Sequence, residues 1–144
     1  MAYCTLEDLR KIVPEQDLRQ LTDDAVPAAS IVTENVDRAI SDAGELIDGY
    51  LRDRYAMPLS PVPGLIGTLA ADIALYRLYA RRAKLHPPEG VQERYRNALK
   101  LLEQIQKGLI ALGAGSMTTP GVSSDTVSVS AGTRIFTQDT MMGY

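Results

Sequence analysis

Apolar residues recur every three or four positions over most of the first 112 residues of this chain, the spacing that gives a helix one dry face. It predicts a short helix after Thr5. Leu6, Leu9 and Ile12 or Val13 form its stripe, and Glu7 and Asp8 lie in the first turn, where the helix dipole favours acids. Pro14 ends that helix and opens a second short one through Glu15, Leu18 and Leu21, running out near Thr22-Asp23-Asp24. From Thr33 onward, Val36, Ile40, Ala43, Ile47, Tyr50 and Leu51 mark a long amphipathic helix, with Asp37, Arg38, Asp42, Glu45, Asp48 and Arg52 on its other faces. Gly44 and Gly49 inside it each cost roughly 1 kcal/mol relative to alanine. Close approach of a neighbouring helix is the expected compensation.

The segment AMPLSPVPG then sets three prolines within six residues, a stiff corner that no helix can cross. Beyond it Leu65, Leu69, Ile73, Tyr76 and Ala80, flanked by Ile66, Ala70 and Ala74, define a helix apolar nearly all round, expected to be the central one. Its basic end, Arg77, Arg81, Arg82 and Lys84, complements the negative pole of the helix dipole before Pro87-Pro88 stops it. A last helix is predicted from Glu89 to Leu112, with Val91, Tyr95, Ala98, Leu102, Ile105, Leu109 and Leu112 as a heptad-like seam. The seam suits a neighbour within a short bundle better than a separate coiled coil.

After Leu112 the chain turns rich in Gly, Ser and Thr and poor in apolar residues, so it cannot build a core. Val127 and Val129 alternate with serines, which allows a short hairpin, although Ala131-Gly132 is a weak hairpin turn. A tail with one small anchor, Arg134, Ile135 and Phe136, that orders on a partner suits the composition better. The reading is therefore all-α: a compact bundle of about three long helices plus short N-terminal helices over residues 1–112. Residues 113–144 form an extended or partly β tail for partner docking.

Charge adds direction. The net charge of -3 argues against general attraction to phosphate backbones. Residues 1–32 and 33–55 each hold six acids and three bases, whereas residues 56–86 hold one acid and four bases. Such polarity either favours head-to-side packing of like subunits or is neutralised within the molecule. The single cysteine, Cys4, closes no internal disulfide, no run approaches a membrane span, and the N-terminus lacks the order of a signal peptide. Synthesis in a reducing cytoplasm is expected.

Candidate chemistry is sparse. His86, the only histidine, has no second histidine or cysteine to form a metal set, and a Cys4–His86 dyad would require the chain to fold back on itself. Neither a phosphate-loop motif nor a nucleophile elbow occurs. Asp42, Glu45 and Asp48 share a helical face and read as a solvated acidic surface before a metal site. No catalytic residue, cofactor or metal is expected. The basic cluster Arg77, Arg81, Arg82 and Lys84 could meet phosphates or another subunit, although the preceding helix is too apolar to lie exposed in a DNA groove.

Several stretches taken together resemble a family of Mu-like prophage proteins within the broad group of head-tail connector, or adaptor, proteins. They are Tyr3-Cys4-Thr5-Leu6-Glu7-Asp8-Leu9, Leu21-Thr22-Asp23-Asp24, Ala39-Ile40-Ser41-Asp42-Ala43 through Ile47-Asp48-Gly49-Tyr50-Leu51, and Arg54-Tyr55-Ala56-Met57-Pro58-Leu59. Asp72-Ile73-Ala74, Tyr76-Arg77-Leu78-Tyr79, Arg94-Tyr95 and Ala98-Leu99 continue the likeness, and Arg134-Ile135-Phe136-Thr137-Gln138-Asp139 resembles the family's ending. The resemblance implies a non-enzymatic virion protein at the head-tail interface, commonly a twelve-fold ring under the portal that extends the DNA channel. Its implied partners are the portal protein, a stopper or tail-completion protein, further copies of itself, and double-stranded DNA passing without sequence-specific binding. No membrane is involved. Acidic faces such as Asp42, Glu45 and Asp48 would line the channel and the tail anchor would dock on the portal. A helical DNA-binding regulator and a non-phage helical scaffold are the competing readings.

Overall fold

The computed structural model describes residues 2–113. The element order is α1 (Leu6–Ile12), α2 (Glu15–Thr22), α3 (Thr33–Leu51), α4 (Gly64–Arg81) and α5 (Glu89–Gln106). Among the described residues there is no strand, in keeping with the all-α expectation. The expected anchor Arg134, Ile135 and Phe136, and all but the first residue of the 113–144 tail, lie outside the described residues.

Helix α4 is the axis of the bundle. Ile66, Leu69, Ala70, Ala71, Ile73, Ala74, Leu75 and Leu78 are all buried, and these positions go about two-thirds of the way round the helix. It packs most extensively on α3, then on α5, while α1 and α2 cover what those two leave open. Ala70, Ala71 and Ala74 are small enough to let neighbouring helices come close. On α3 the buried set is Val36, Ala39, Ile40, Ala43, Gly44, Ile47 and Leu51, as the helical spacing requires. Gly44 is therefore part of a packed face. Gly49 is not: it is exposed, and a Cβ built on it meets nothing within 4 Å.

Prolines mark the helix starts. Pro14, Pro63 and Pro88 each stand at the N-cap, and their carbonyls accept the first helical N–H groups, from Leu18, Gly67 and Gln92 among others. A proline here sacrifices no helical donor, because its own missing N–H would have had no partner. At α1, Asp8 reaches back to the Thr5 backbone N–H at 2.8 Å, half of a capping box.

The last two helices end earlier than their sequence patterns suggest. α5 stops at Gln106, because Lys107-Gly108-Leu109 closes a Schellman turn. The N–H of Leu109 returns to the Gln104 carbonyl at 2.9 Å and that of Gly108 to Ile105 at 3.0 Å, with Gly108 at φ +80°. The heptad-like seam is thus cut after Ile105, and Leu109 stands 73% exposed. Leu112 still reaches the core, outside the helix, and its N–H donates to the Tyr55 hydroxyl at 3.1 Å. Likewise α4 leaves helical geometry at Arg82 rather than continuing toward Pro87.

The α4–α5 interface includes aromatic and charged contacts. Tyr76 and Tyr95 stack with ring centroids 4.0 Å apart. One turn away Asp72, with only 13% of its side chain exposed, lies 3.7 Å from Arg94. Burial pushes the Asp72 carboxyl above its usual range and Arg94 opposes the shift.

The two glycines make opposite predictions. Gly49→Ala should raise stability by about 1 kcal/mol in denaturant unfolding, since the helix gains and nothing is displaced. Gly108→Ala should lower it by roughly 1–2 kcal/mol, because an L-residue is strained at that φ and its Cβ would fall 2.6 Å from the Arg54 guanidinium.

Candidate functional site

Charged side chains are the candidates for function, and the fold divides them into those it uses and those it leaves free. Arg81 and Arg82 are used. The last carbonyls of a helix have no partner within the helix, and two arginines from the end of α4 supply partners to the end of α2. Arg81 donates to the Leu21 carbonyl at 2.9 Å and grips Asp24 with both terminal nitrogens, at 2.9 and 3.2 Å. Arg82 donates to the carbonyls of Gln20 and, at 2.9 Å, Asp23. Part of the charge asymmetry along the sequence is therefore neutralised inside the molecule.

The segment that follows α2 is held by the same small region. The buried Thr22 hydroxyl donates to the Leu18 carbonyl at 2.7 Å and accepts the Val32 N–H at 3.0 Å. The Asn35 amide donates to the Thr22 carbonyl at 2.7 Å. Asp23 accepts the N–H groups of Ala25 and Ala29, both at 3.0 Å. Those two hydrogen bonds, with a smaller contribution from Arg82, hold its carboxyl below the usual range. Asp24 is lowered chiefly by its hydrogen bonds to Arg81. This loop presents Val26, 93% exposed, above a shallow groove of about 320 Å³ shared with Pro27, Lys84 and Leu85.

The acids expected to share one face of α3 have three different settings. Glu45 is exposed. Asp42 lines a groove of about 270 Å³ between α3 and α4 together with Arg38 and Arg77. Asp48 accepts a hydrogen bond from the Tyr3 hydroxyl. The same hydroxyl accepts the Leu59 N–H at 3.3 Å, so one phenol ties the N-terminal segment to α3 and to the proline corner. Burial, reinforced by Asp48, pushes the Tyr3 hydroxyl up to about 12.

Of the basic cluster, Arg77 and Lys84 remain exposed and, among the described residues, without ion pairs. Arg38, which sequence reading treats as one polar-face residue among several, joins Arg77 only because α3 and α4 pack together. No local sequence signal announces that pairing. Cys4 is buried, and burial together with the nearby Asp8 pushes its thiol up to about 11, so its nucleophilic form is scarce at neutral pH. His86 is exposed in the α4–α5 connection. Among the described residues no three His, Cys, Asp or Glu side chains converge to hold a metal ion, and no helix is long and apolar enough to cross a membrane.

Comparison with known proteins extends beyond the described part. A family profile described as "Bacteriophage Mu, Gp36" matches residues 3–131. The "Mu-like prophage FluMu protein gp36" of Haemophilus influenzae is 32% identical over 112 residues, covering 77% of this chain and 75% of that protein. "Gene product J" of Escherichia phage Mu is 32% identical over 130 residues, covering 88% of this chain and 81% of its own length.

If Arg81 is a structural tie, Arg81→Ala should cost about 2 kcal/mol of stability in the absence of any ligand, the scale of a lost charged hydrogen bond. The Asp23 hydrogen bonds add a pH signature. Since its folded carboxyl is lowered, its stabilisation is complete above the unfolded carboxylate range and is lost as pH falls through the folded value. Amide exchange at Ala25 and Ala29, corrected for intrinsic rates, should therefore quicken on acidification. In Asp23→Ala it should be fast at every pH.

Proposed function

This chain belongs to the bacteriophage Mu Gp36 family, and from that membership we propose that it is a structural virion protein, a head-tail connector. In this reading copies of the chain form a ring beneath the portal, extend the DNA channel and receive a stopper or tail-completion protein on the far side. The observation that carries the reading beyond family membership is where the tail departs. The hydrogen bond between Leu112 and Tyr55 holds the last described residues against the end of the bundle where α3 stops. Residues 114–144 therefore begin from a defined point on a rigid body, as a docking arm requires.

The exposed face of α3 is the candidate channel lining. Glu34 and Glu45 are exposed along it, with Asp42 at its edge. Carboxylates facing a channel repel phosphates and keep passing DNA from adhering. Asp48, engaged by Tyr3, contributes less to such a lining than its spacing alone suggests. The regulator reading finds less support, because two of the four clustered bases are committed to the end of α2.

The test mixes purified chain with portal-containing heads and separates bound from free by sedimentation. Full-length protein should co-sediment, and a version ending at Leu112 should not, although its thermal unfolding should match because Tyr55 still holds Leu112. Failure of both to bind removes the connector reading.

A further inference from the structure

The exposed face of α3 has two flanks of opposite character. On one flank Arg38 and Arg77, contributed by adjacent helices, line the groove that also holds Asp42. Among the described residues neither arginine forms an ion pair, and Asp42 pairs with neither. Arg81 also lines the groove but is held by Asp24, so the two unpaired arginines against the one carboxylate of Asp42 leave it net positive. Helix packing holds those like charges in one place, and a carboxylate supplied from outside relieves the repulsion. A guanidinium suits a carboxylate better than any other protein group, through its planar fork of donors.

The other flank is acidic. Asp37 is exposed, has no ion-pair partner among the described residues, and lines a groove of about 370 Å³ beside Cys4, Leu6 and Ile40. In the adjoining first turn of α1, Glu7 and Asp8 are paired with Arg10 and Lys11, which leaves Asp37 as the free carboxylate of this flank. Asp37 and Arg38 are consecutive, so they project about 100° apart around α3 and serve different flanks. Both grooves are built on the same rigid helix, which keeps their relative orientation constant.

We infer that the two flanks meet in neighbouring copies: the Arg38–Arg77 groove of one chain receives the Asp37 carboxylate of the next. The contact joins unlike surfaces and so repeats from copy to copy, closing into a ring where the rotation permits. A two-fold pairing of either flank with itself would set like charge against like. With the flanks so occupied, Glu45 between them faces the same way in every copy. The inference rests on the connector reading and assigns the surfaces through which its subunits associate.

Zero-length carbodiimide coupling tests it. Arg77→Lys keeps the charge and supplies an amine that can be joined directly to a carboxylate. The variant should give a ladder of dimers, trimers and higher species, with mass spectrometry locating the bond between Asp37 and position 77. Asp37→Asn in the same background should abolish the ladder. The coupling is run on concentrated full-length chain and on phage particles. Absence of that bond in both settings overturns the inference, as does coupling that stops at dimers. Absence of the chain from particles overturns the connector reading alone, since the concentrated sample still decides the interface. Salt-sensitive retention on duplex DNA that is lost in Arg38→Glu/Arg77→Glu, without any ladder, would reassign the groove to phosphate.

Discussion

Over its middle turns, from Leu69 to Tyr76, helix α4 leaves every side chain buried or half-buried. Eight of its side chains are apolar and buried, spread over about two-thirds of its circumference, and leaving a leucine-sized group exposed costs about 1.5–3 kcal/mol. Every other element is placed by the need to cover it. α3 and α5 take its two largest sides with amphipathic faces, while α1 and α2, too short to be stable alone, fill the remaining gaps with Leu9, Leu18 and Leu21. The alanines of α4 matter as much as its larger residues, because they set how closely these neighbours approach. The stacked Tyr76–Tyr95 pair and the Asp72–Arg94 pair then align α5 against α4 where apolar packing alone would permit sliding.

Hydrogen bonds take over where apolar surface runs short. Tyr3, Thr22, Tyr55, Arg81 and Arg82 each join segments distant in sequence, and each does so through atoms that also satisfy a backbone group or carboxylate. Among the described residues no buried side-chain nitrogen or oxygen lacks a partner. These ties have a functional consequence. By committing Arg81, Arg82, Asp24 and Asp48 internally, the fold subtracts charges from the surface and leaves a smaller set, notably Arg38, Arg77, Asp37 and Glu45, free to meet partners. Such a division suits the connector role proposed above, in which a rigid body would carry outer charges to be paired between copies or turned toward DNA.

What the sequence by itself determined was the number, type and approximate extent of the helices, because each is written in the local spacing of apolar residues and in its flanking prolines. The central place of α4 was legible for the same reason: an all-round apolar helix has only one stable location. Membership in the phage family was legible too, in runs such as Ile47-Asp48-Gly49-Tyr50-Leu51. Tertiary structure alone decided which charges remain available. Arg81 and Arg82 look like a free basic patch until the end of α2 arrives to take their donors. Asp48 looks solvated until Tyr3 reaches it. Gly44 and Gly49 share one composition-level reading, yet only Gly44 is packed. The Gly108 turn ended α5 while the apolar seam still ran on through Leu109, since backbone hydrogen bonds closed around a left-handed glycine outweigh one more apolar contact. Arg38 and Arg77 became a pair only through the packing of α3 on α4. Periodicity is a property of neighbours along the chain, whereas a hydrogen bond or a shared groove belongs to groups that only folding brings together.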